Sequence, residues 1–473
     1  MQLSNKPLDS MGWRIVVGCT LLLAILVEWI AGVGAAPAGI FGVTHGSVDM
    51  AGPADTPDGQ EWRYGLCIAL QLDSTTVGLF VNIRRNGTPY GDFEVGTDLI
   101  LFNDLKKIDA GLVVPISRPS CEPHPASGEP SLTAKYPLIG GFVPNGARDA
   151  HGRPHPCAGS GFGISQIAFY PADFSKPLPP ENQLGYEIEV QQFHFDGRQF
   201  KVDQPKRRKH WPVDSNWRIN APGLSAAIND GNDLLLAVTC ARPGVGEISG
   251  VARFRHGADG WQPASFSPVT DRGETWYEPS LIRDTDGSLL FTARNSHVAG
   301  KGDIPLWRSR DNGRAWERLF LLRGVRTGTP LVLNQAADGS PYLATNTVLG
   351  TDRNILQIVP LKPDRSGLER AITARNCNVE FGRAPNGKAW KVDHGIGGIF
   401  RLADGQLHGI LTYRVLDECE NIGEAASLYS GLYVEEVLSK GNQFSRMKSI
   451  DADTKNMANG LNMIGIDTTG QND

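Results

Sequence analysis

A few short stretches of this chain hold side chains able to move protons or grip anions. Tyr277 and Glu278 are followed sixteen residues later by Arg294, with Asp286-Gly287 between them. Asp393-His394 sets a carboxylate beside an imidazole, a pairing usable for general base work. Tyr413-Arg414 places a phenol next to a guanidinium, and Arg218 and Arg375 add two more cations. The planar guanidinium fork binds two carboxylate oxygens at once, so a convergent arginine set would suit an acidic group on a ligand. Each stretch also has a plain structural reading. Glu278 and Arg294 would serve as an ion pair between neighbouring strands, Asp393-His394 as a turn, and Tyr413 as a core residue.

The elements that must position these residues show as a repeat. Four stretches share a small or proline-containing start, an apolar strand, a turn with glycine and a second apolar strand: 221–238, 278–294, 329–346 and 395–414. Their turn glycines are Gly231, Gly287, Gly339 and Gly405, spaced by 52–66 residues. Units of about 50 residues built from short strands point to propeller blades. Asp-Gly supplies the positive φ that a tight hairpin needs. No long segment of this region has a helical apolar period. Residues 40–214 are less regular, and two further blades there would close a ring of six four-stranded blades. The run Lys206-Arg207-Arg208-Lys209-His210 reads as a solvated loop.

The stretch S-R-D-N-G-R-A-W (309–316) resembles the Asp box of sialidases and other BNR-repeat proteins, with Ala315 where a hydroxyl is usual. V-T-D-R-G-E-T-W (269–276) is a near match, and G-R-A-P-N-G-K-A-W (382–390) looks like a worn copy. The resemblance covers roughly residues 215–440. It implies that the box joins the third and fourth strands of a blade, away from the ligand face. It also implies that Glu278 corresponds to the glutamate that polarises a tyrosine nucleophile, and that Arg294 and Arg375 correspond to carboxylate-binding arginines. The pattern departs where the nucleophilic tyrosine is expected: Asp393-His394-Gly395-Ile396 stands there, with Tyr413-Arg414 further on.

The chain has 473 residues and a net charge of −5, so no global basic field points to nucleic acid. Lys6 and Arg14 precede the uncharged run 15–27, and small residues follow at 32–38. That order is the pattern of an export signal, and the run is short of the roughly 20 apolar residues of a bilayer-spanning helix. The expected organisation is a signal or membrane anchor over 1–38, irregular blades and loops over 39–214, Asp-box blades over 215–440 and a tail over 441–473. Cysteines 67, 121, 157, 240, 377 and 419 are widely spaced and read as buried thiols or as one to three bridges. The expected fold class is all-β, a β-propeller. The expected function is an exported, sialidase-like glycoside hydrolase. Glu278, Asp393, His394 and Tyr413 are its candidate catalytic residues, and Arg294, Arg375, Arg414 and Arg218 its substrate-binding arginines. The alternative is a non-catalytic propeller that binds carbohydrate or protein. No cofactor or metal is expected, since glycoside hydrolysis does not require one. The partner would be a glycan, with membrane contact only through an uncleaved N-terminal segment.

Overall fold

The computed structural model describes residues 41–44, 62–85, 94–108, 111–118, 120–124, 127–135, 138–149, 151–171, 187–208, 211–242, 246–270, 276–295, 301–326, 330–346, 353–384, 387–417 and 430–439. The expected export segment, residues 271–275 of the near-match box, Cys419 and the expected tail lie outside them. Among the described residues no helix is long and apolar enough to cross a membrane. The described strands form six antiparallel sheets and the fold is a β-propeller. In chain order the sheets occupy 62–117, 121–208, 211–268, 276–326, 331–376 and 391–439. The last is completed by Phe41–Thr44, which pairs with Ser430–Ser439. The expected set of six uniform four-stranded blades is not what the chain builds. Four sheets have four strands, but 121–208 has seven and 211–268 has six, because single strand positions there are split into short pieces.

Neighbouring sheets bury their apolar faces against one another. Leu235 and Val251 pack with Leu281, Leu290 and Phe291, which pack in turn with Leu331 and Leu343. Cys67, Val81 and Ile100 of the 62–117 sheet pack with Ile410, Leu432 and Val434 of the last sheet. The small residues near the start of the repeats at 221–238 and 278–294 have a physical cause. Leu281 N–H donates to Ser225 Oγ at 2.9 Å, and Leu333 N–H donates to Ser280 Oγ at 2.9 Å. First strands of adjacent sheets are therefore stitched side by side through a hydroxyl. Their approach is close: a Cβ on Gly223 would meet Pro279 O at 2.1 Å.

The 276–326 sheet sets the orientation. Trp276–Arg283 runs away from Glu278 to the Asp284–Gly287 turn, and Leu289–Asn295 returns to Arg294. Lys301–Ser309 then runs down to the 309–316 turn, before Glu317–Arg326. Glu278 and Asp311 thus lie at opposite ends of the strands. At the turn, Asp311 Oδ1 accepts from Arg314 N–H (3.0 Å), Ala315 N–H (2.9 Å) and Ser309 Oγ–H (2.8 Å). Gly313 takes φ 84°, and Trp316 lies edge-on to Phe291 with centroids 5.6 Å apart. The carboxylate is spent on the turn.

Two sequence expectations are corrected. Residues 382–390 are not a third-to-fourth turn, because they follow the last strand of the 331–376 sheet and the short helix Cys377–Phe381. The third-to-fourth connection there runs through the 361–368 turn, closed by the Leu361–Leu368 bridge. Lys206–Arg208 is a strand paired with Glu187–Phe195, not a solvated loop. Arg207 Nη2 donates to Glu122 Oε1 at 2.7 Å, and Arg207 Nε to Glu189 Oε2 at 3.5 Å. The described cysteines, Cys67, Cys121, Cys157, Cys240 and Cys377, are free thiols.

Asp311→Ala is expected to lower the thermal midpoint at pH 7. The backbone N–H of Ala315, then the hydroxyl of Ser309, hold this carboxyl below the usual carboxylate range. Its contribution is therefore present above the unfolded value of about 3.9 and lost as pH falls through the lower folded value. Thermal scans at pH 7 and at strongly acidic pH should show the gap between wild type and variant closing in acid.

Candidate functional site

One irregularity recurs at the strand ends opposite the 309–316 turn. In the 276–326 sheet, Tyr277 pairs with Arg294 but the next pair is Ser280 with Thr292. Glu278 and Pro279 therefore both oppose Ala293. In the last sheet Asp393 pairs with Arg414 and then Ile396 with Thr412, so His394 and Gly395 both oppose Tyr413. In the 62–117 sheet Tyr64 pairs with Ile83 and then Cys67 with Val81, so Gly65 and Leu66 oppose Asn82. Such bulges bend a strand and re-aim its side chains, and they are common beside active sites. Glu278 and His394, found by different sequence arguments, hold the same bulged place. Glu278 also takes φ 50°. The other described non-glycine residues with positive φ, Asn312 and Arg365, sit in turns. A residue held in that region costs about 1–3 kcal/mol and persists only where its surroundings enforce it.

Arg294 is the charged partner of Glu278. Its Nη1 donates to Glu278 Oε2 at 2.8 Å, and its guanidinium carbon lies 4.7 Å from the centre of the Tyr277 ring. Burial opposes the Arg294 charge, but Glu278, Tyr277 and Asp393 outweigh it and raise the pKa. Burial also raises the Tyr277 pKa. Glu278 adds to that rise, while Arg294 and Arg353 oppose it. At neutral pH Tyr277 is a phenol, a hydrogen-bond donor. Because Asp393 acts on Arg294 and Arg353 acts on Tyr277, the ends of the two sheets share one electrostatic environment.

Asp393 is the anchor of the second half. It accepts from Arg414 Nη2 at 3.0 Å and Arg353 Nη1 at 3.3 Å, with Lys391 Nζ at 3.5 Å. The side chains of Asp393 and Arg414 are each 1% exposed, whereas Glu278 is 24%, Arg353 20% and Arg294 15% exposed. A ligand arriving from solvent therefore meets Glu278, Arg294 and Arg353. Asp393 and Arg414 lie behind them, and the His394 side chain lies outside the described residues.

Arg375 and Tyr413 belong to a separate, enclosed network. Arg375 Nε donates to Tyr413 Oη at 2.8 Å and Arg375 Nη2 to Glu435 Oε1 at 2.9 Å. Arg375 also bonds Glu380, and Tyr413 Oη–H donates to Glu435 Oε1 at 2.6 Å. Burial, then Glu435, pushes the Tyr413 phenol well up. This phenol is buried and neutral, so as placed it meets no ligand from solvent. Neighbours along a strand point to opposite faces, which sends Tyr413 toward Arg375 and Arg414 toward Asp393. Arg414 thus bonds Asp393, whose charge also acts on Arg294, while Arg375 bonds Tyr413, Glu380 and Glu435. Arg218 is exposed at the start of Arg218–Pro222, opposite Ala241.

Sequence reasoning missed Arg353, Lys391, Glu380 and Glu435. It also missed a second buried set, in which Tyr64 Oη–H donates to Asp98 Oδ2 at 3.0 Å and Arg118 bonds the same carboxylate. The one available signal was a charge inside an apolar strand: Asp98 in Glu94–Phe102 and Glu435 in Ser430–Ser439. Removing one partner of a buried charge network leaves the others uncompensated. Arg375→Ala should therefore lower unfolding stability by about 3–5 kcal/mol in urea titrations. Unchanged stability with lost ligand affinity would place Arg375 in a binding site instead.

No family model and no curated protein matches this chain. Among solved structures, a protein of unknown function from Dyadobacter fermentans aligns with TM-score 0.51 at 10% identity, covering 85% of this chain and all of that one. A Trypanosoma rangeli sialidase in complex with the inhibitor DANA aligns with TM-score 0.49 at 12% identity, covering 85% of this chain and 60% of that one. A Penicillium chrysogenum α-L-arabinanase complexed with arabinobiose gives TM-score 0.45 at 12% identity over 84% of this chain and 99% of that one.

Proposed function

We propose that this chain is an exported, sialidase-like propeller glycoside hydrolase acting on glycans that carry an acidic group. In this reading the ligand lies at the bulged strand ends of the propeller. The observation that carries it is Glu278: a half-buried carboxylate, held at positive φ by a bulge and bonded to Arg294. Local strain of this kind concentrates at functional sites. Two carboxylates suffice for glycoside hydrolysis, one giving or taking the proton and one facing the sugar carbon. Glu278 is the solvent-facing one. Asp393, or His394 at the matching bulge, completes the acid–base set. Arg294 and Arg353 present guanidinium forks to the ligand's acidic group, and Arg414 holds Asp393 in place. Tyr277 donates a hydrogen bond beside them. The Asp-box likeness of 309–316 supports the scaffold half of this reading.

A second reading is favoured by one observation. Glu278 already spends its carboxylate on Arg294, and Asp393 is enclosed by cations. A propeller that binds a glycan on this face without turning it over would look the same.

Sugar release from a panel of acidic and neutral glycosides separates the two. Wild type is expected to hydrolyse acidic members. Glu278→Gln should cut the rate at least about 100-fold with an unchanged thermal midpoint, as expected for loss of a general acid or base. Arg294→Lys should raise KM for acidic substrates more than for neutral ones. Binding without release by wild type would establish the second reading, and wild-type rates in Glu278→Gln would remove Glu278 from catalysis.

A further inference from the structure

The opposite face carries a cavity. There, first strands return through tight turns closed by backbone N–H to C=O bonds, among them Leu72 to Thr76 (2.9 Å), Asp284 to Ser288 (2.8 Å), Ala336 to Ser340 (3.0 Å) and Leu402 to Gln406 (3.2 Å). The 121–208 sheet departs from this. Between Ile139–Val143 and Ser160–Pro171 it inserts residues 144–159. Long loops within compact domains usually have a task of their own.

This loop is pinned to both neighbouring sheets and braced from within. Asn145 N–H donates to Leu72 O in the preceding sheet at 2.7 Å. His155, buried, bonds Gly231 O of the following sheet through Nε2 at 2.8 Å and accepts Cys157 N–H at Nδ1 at 3.1 Å. Asp149 accepts the N–H groups of His151 and Arg153, both at 2.9 Å, and Arg153 Nε at 2.8 Å. The loop is thus preorganised, and between it and the Gly231 turn lies a cavity of about 540 Å³. That size is ordinary for a small-molecule site.

The lining divides by chemistry. Val143, Pro144 and Ala147 form an apolar wall, and Asn229, Asn232 and His151 bring polar groups. Arg148 and Arg153 are both exposed cations; of the five donors of Arg148, one bonds Gly152 O at 2.7 Å. Arg153 is already neutralised by Asp149, so the acid in the cavity is spent on its own loop. An apolar wall, amide groups and one available guanidinium fork suit a small polyhydroxylated body bearing one carboxylate or phosphate.

We propose that this cavity is a second ligand site, for a sugar-sized acid held through Arg148. It is independent of the bulged end: loss of either site leaves the other intact, and Glu278→Gln should bind here as wild type does. The test is calorimetric titration of the full-length protein with D-glucuronate, D-glucose 6-phosphate, D-glucose and inorganic phosphate. One or both sugar acids should bind at least tenfold more tightly than glucose and than inorganic phosphate. Arg148→Ala, at an exposed position, should weaken that binding at least tenfold without moving the thermal midpoint, and His151→Ala should weaken it less. Binding of glucuronate alone or of the phosphate sugar alone would identify the acidic group. Glucose or inorganic phosphate binding as well as the acids, no binding at millimolar concentration, or undiminished binding by Arg148→Ala would overturn the proposal.

Discussion

Two residues opposing one at the start of a first strand is the constraint on which the functional reading depends. A regular ladder would alternate side chains strictly between the two faces of each sheet. The bulges at Glu278-Pro279 and His394-Gly395 break that alternation where the chain enters the sheet, leaving Tyr277 beside Arg294 and Asp393 beside Arg414. The stitching of first strands through Ser225 and Ser280 begins directly below the bulge of the 276–326 sheet. A rigid inner wall therefore supports a strained rim.

The two ends of the strands divide their carboxylates by use. At the turn end, Asp311 and Asp149 are occupied by backbone N–H groups of their own loops, and Asp286 by Ser288. These carboxylates shape turns. At the bulged end, Glu278 and Asp393 bond guanidinium groups brought from other strands and from the loop at Arg353. Arginine forks are geometrically selective, so that end is fitted to recognise a shape as well as a charge. Beside the bulge at His394-Gly395, Arg375 with Glu435 and Tyr413 forms a buried charge network that joins two sheets.

Much of this was legible in the sequence because it is local. Paired apolar strands around turn glycines gave the sheets from 215 onward, and Gly231, Gly287, Gly339 and Gly405 all take the positive φ that such turns require. The Glu278–Arg294 contact was legible too, since a hairpin of known turn fixes which residues face each other. What stayed hidden depends on register or on distant chain. A bulge leaves no mark in composition, so the shared place of Glu278 and His394 was invisible. Arg353 reaches Asp393 from another sheet, and Glu435 meets Arg375 sixty residues away in sequence. Residues 382–390 misled because glycine and tryptophan at box spacing also fit an ordinary connection. Lys206–Arg208 misled because three adjacent cations read as solvated, although Arg207 finds Glu122 and Glu189 across the sheet.

The central claim is that Glu278 is kept in a strained backbone for what it does to a ligand, not for what it adds to the fold. The unfolding midpoint of Glu278→Gly tests it most directly. Glycine accepts φ 50° without strain, and a partly exposed ion pair contributes only about 0–1 kcal/mol. The account predicts a midpoint at or above that of wild type. A clear fall, by several degrees, would mean that the Glu278–Arg294 pair is there to hold the sheet together.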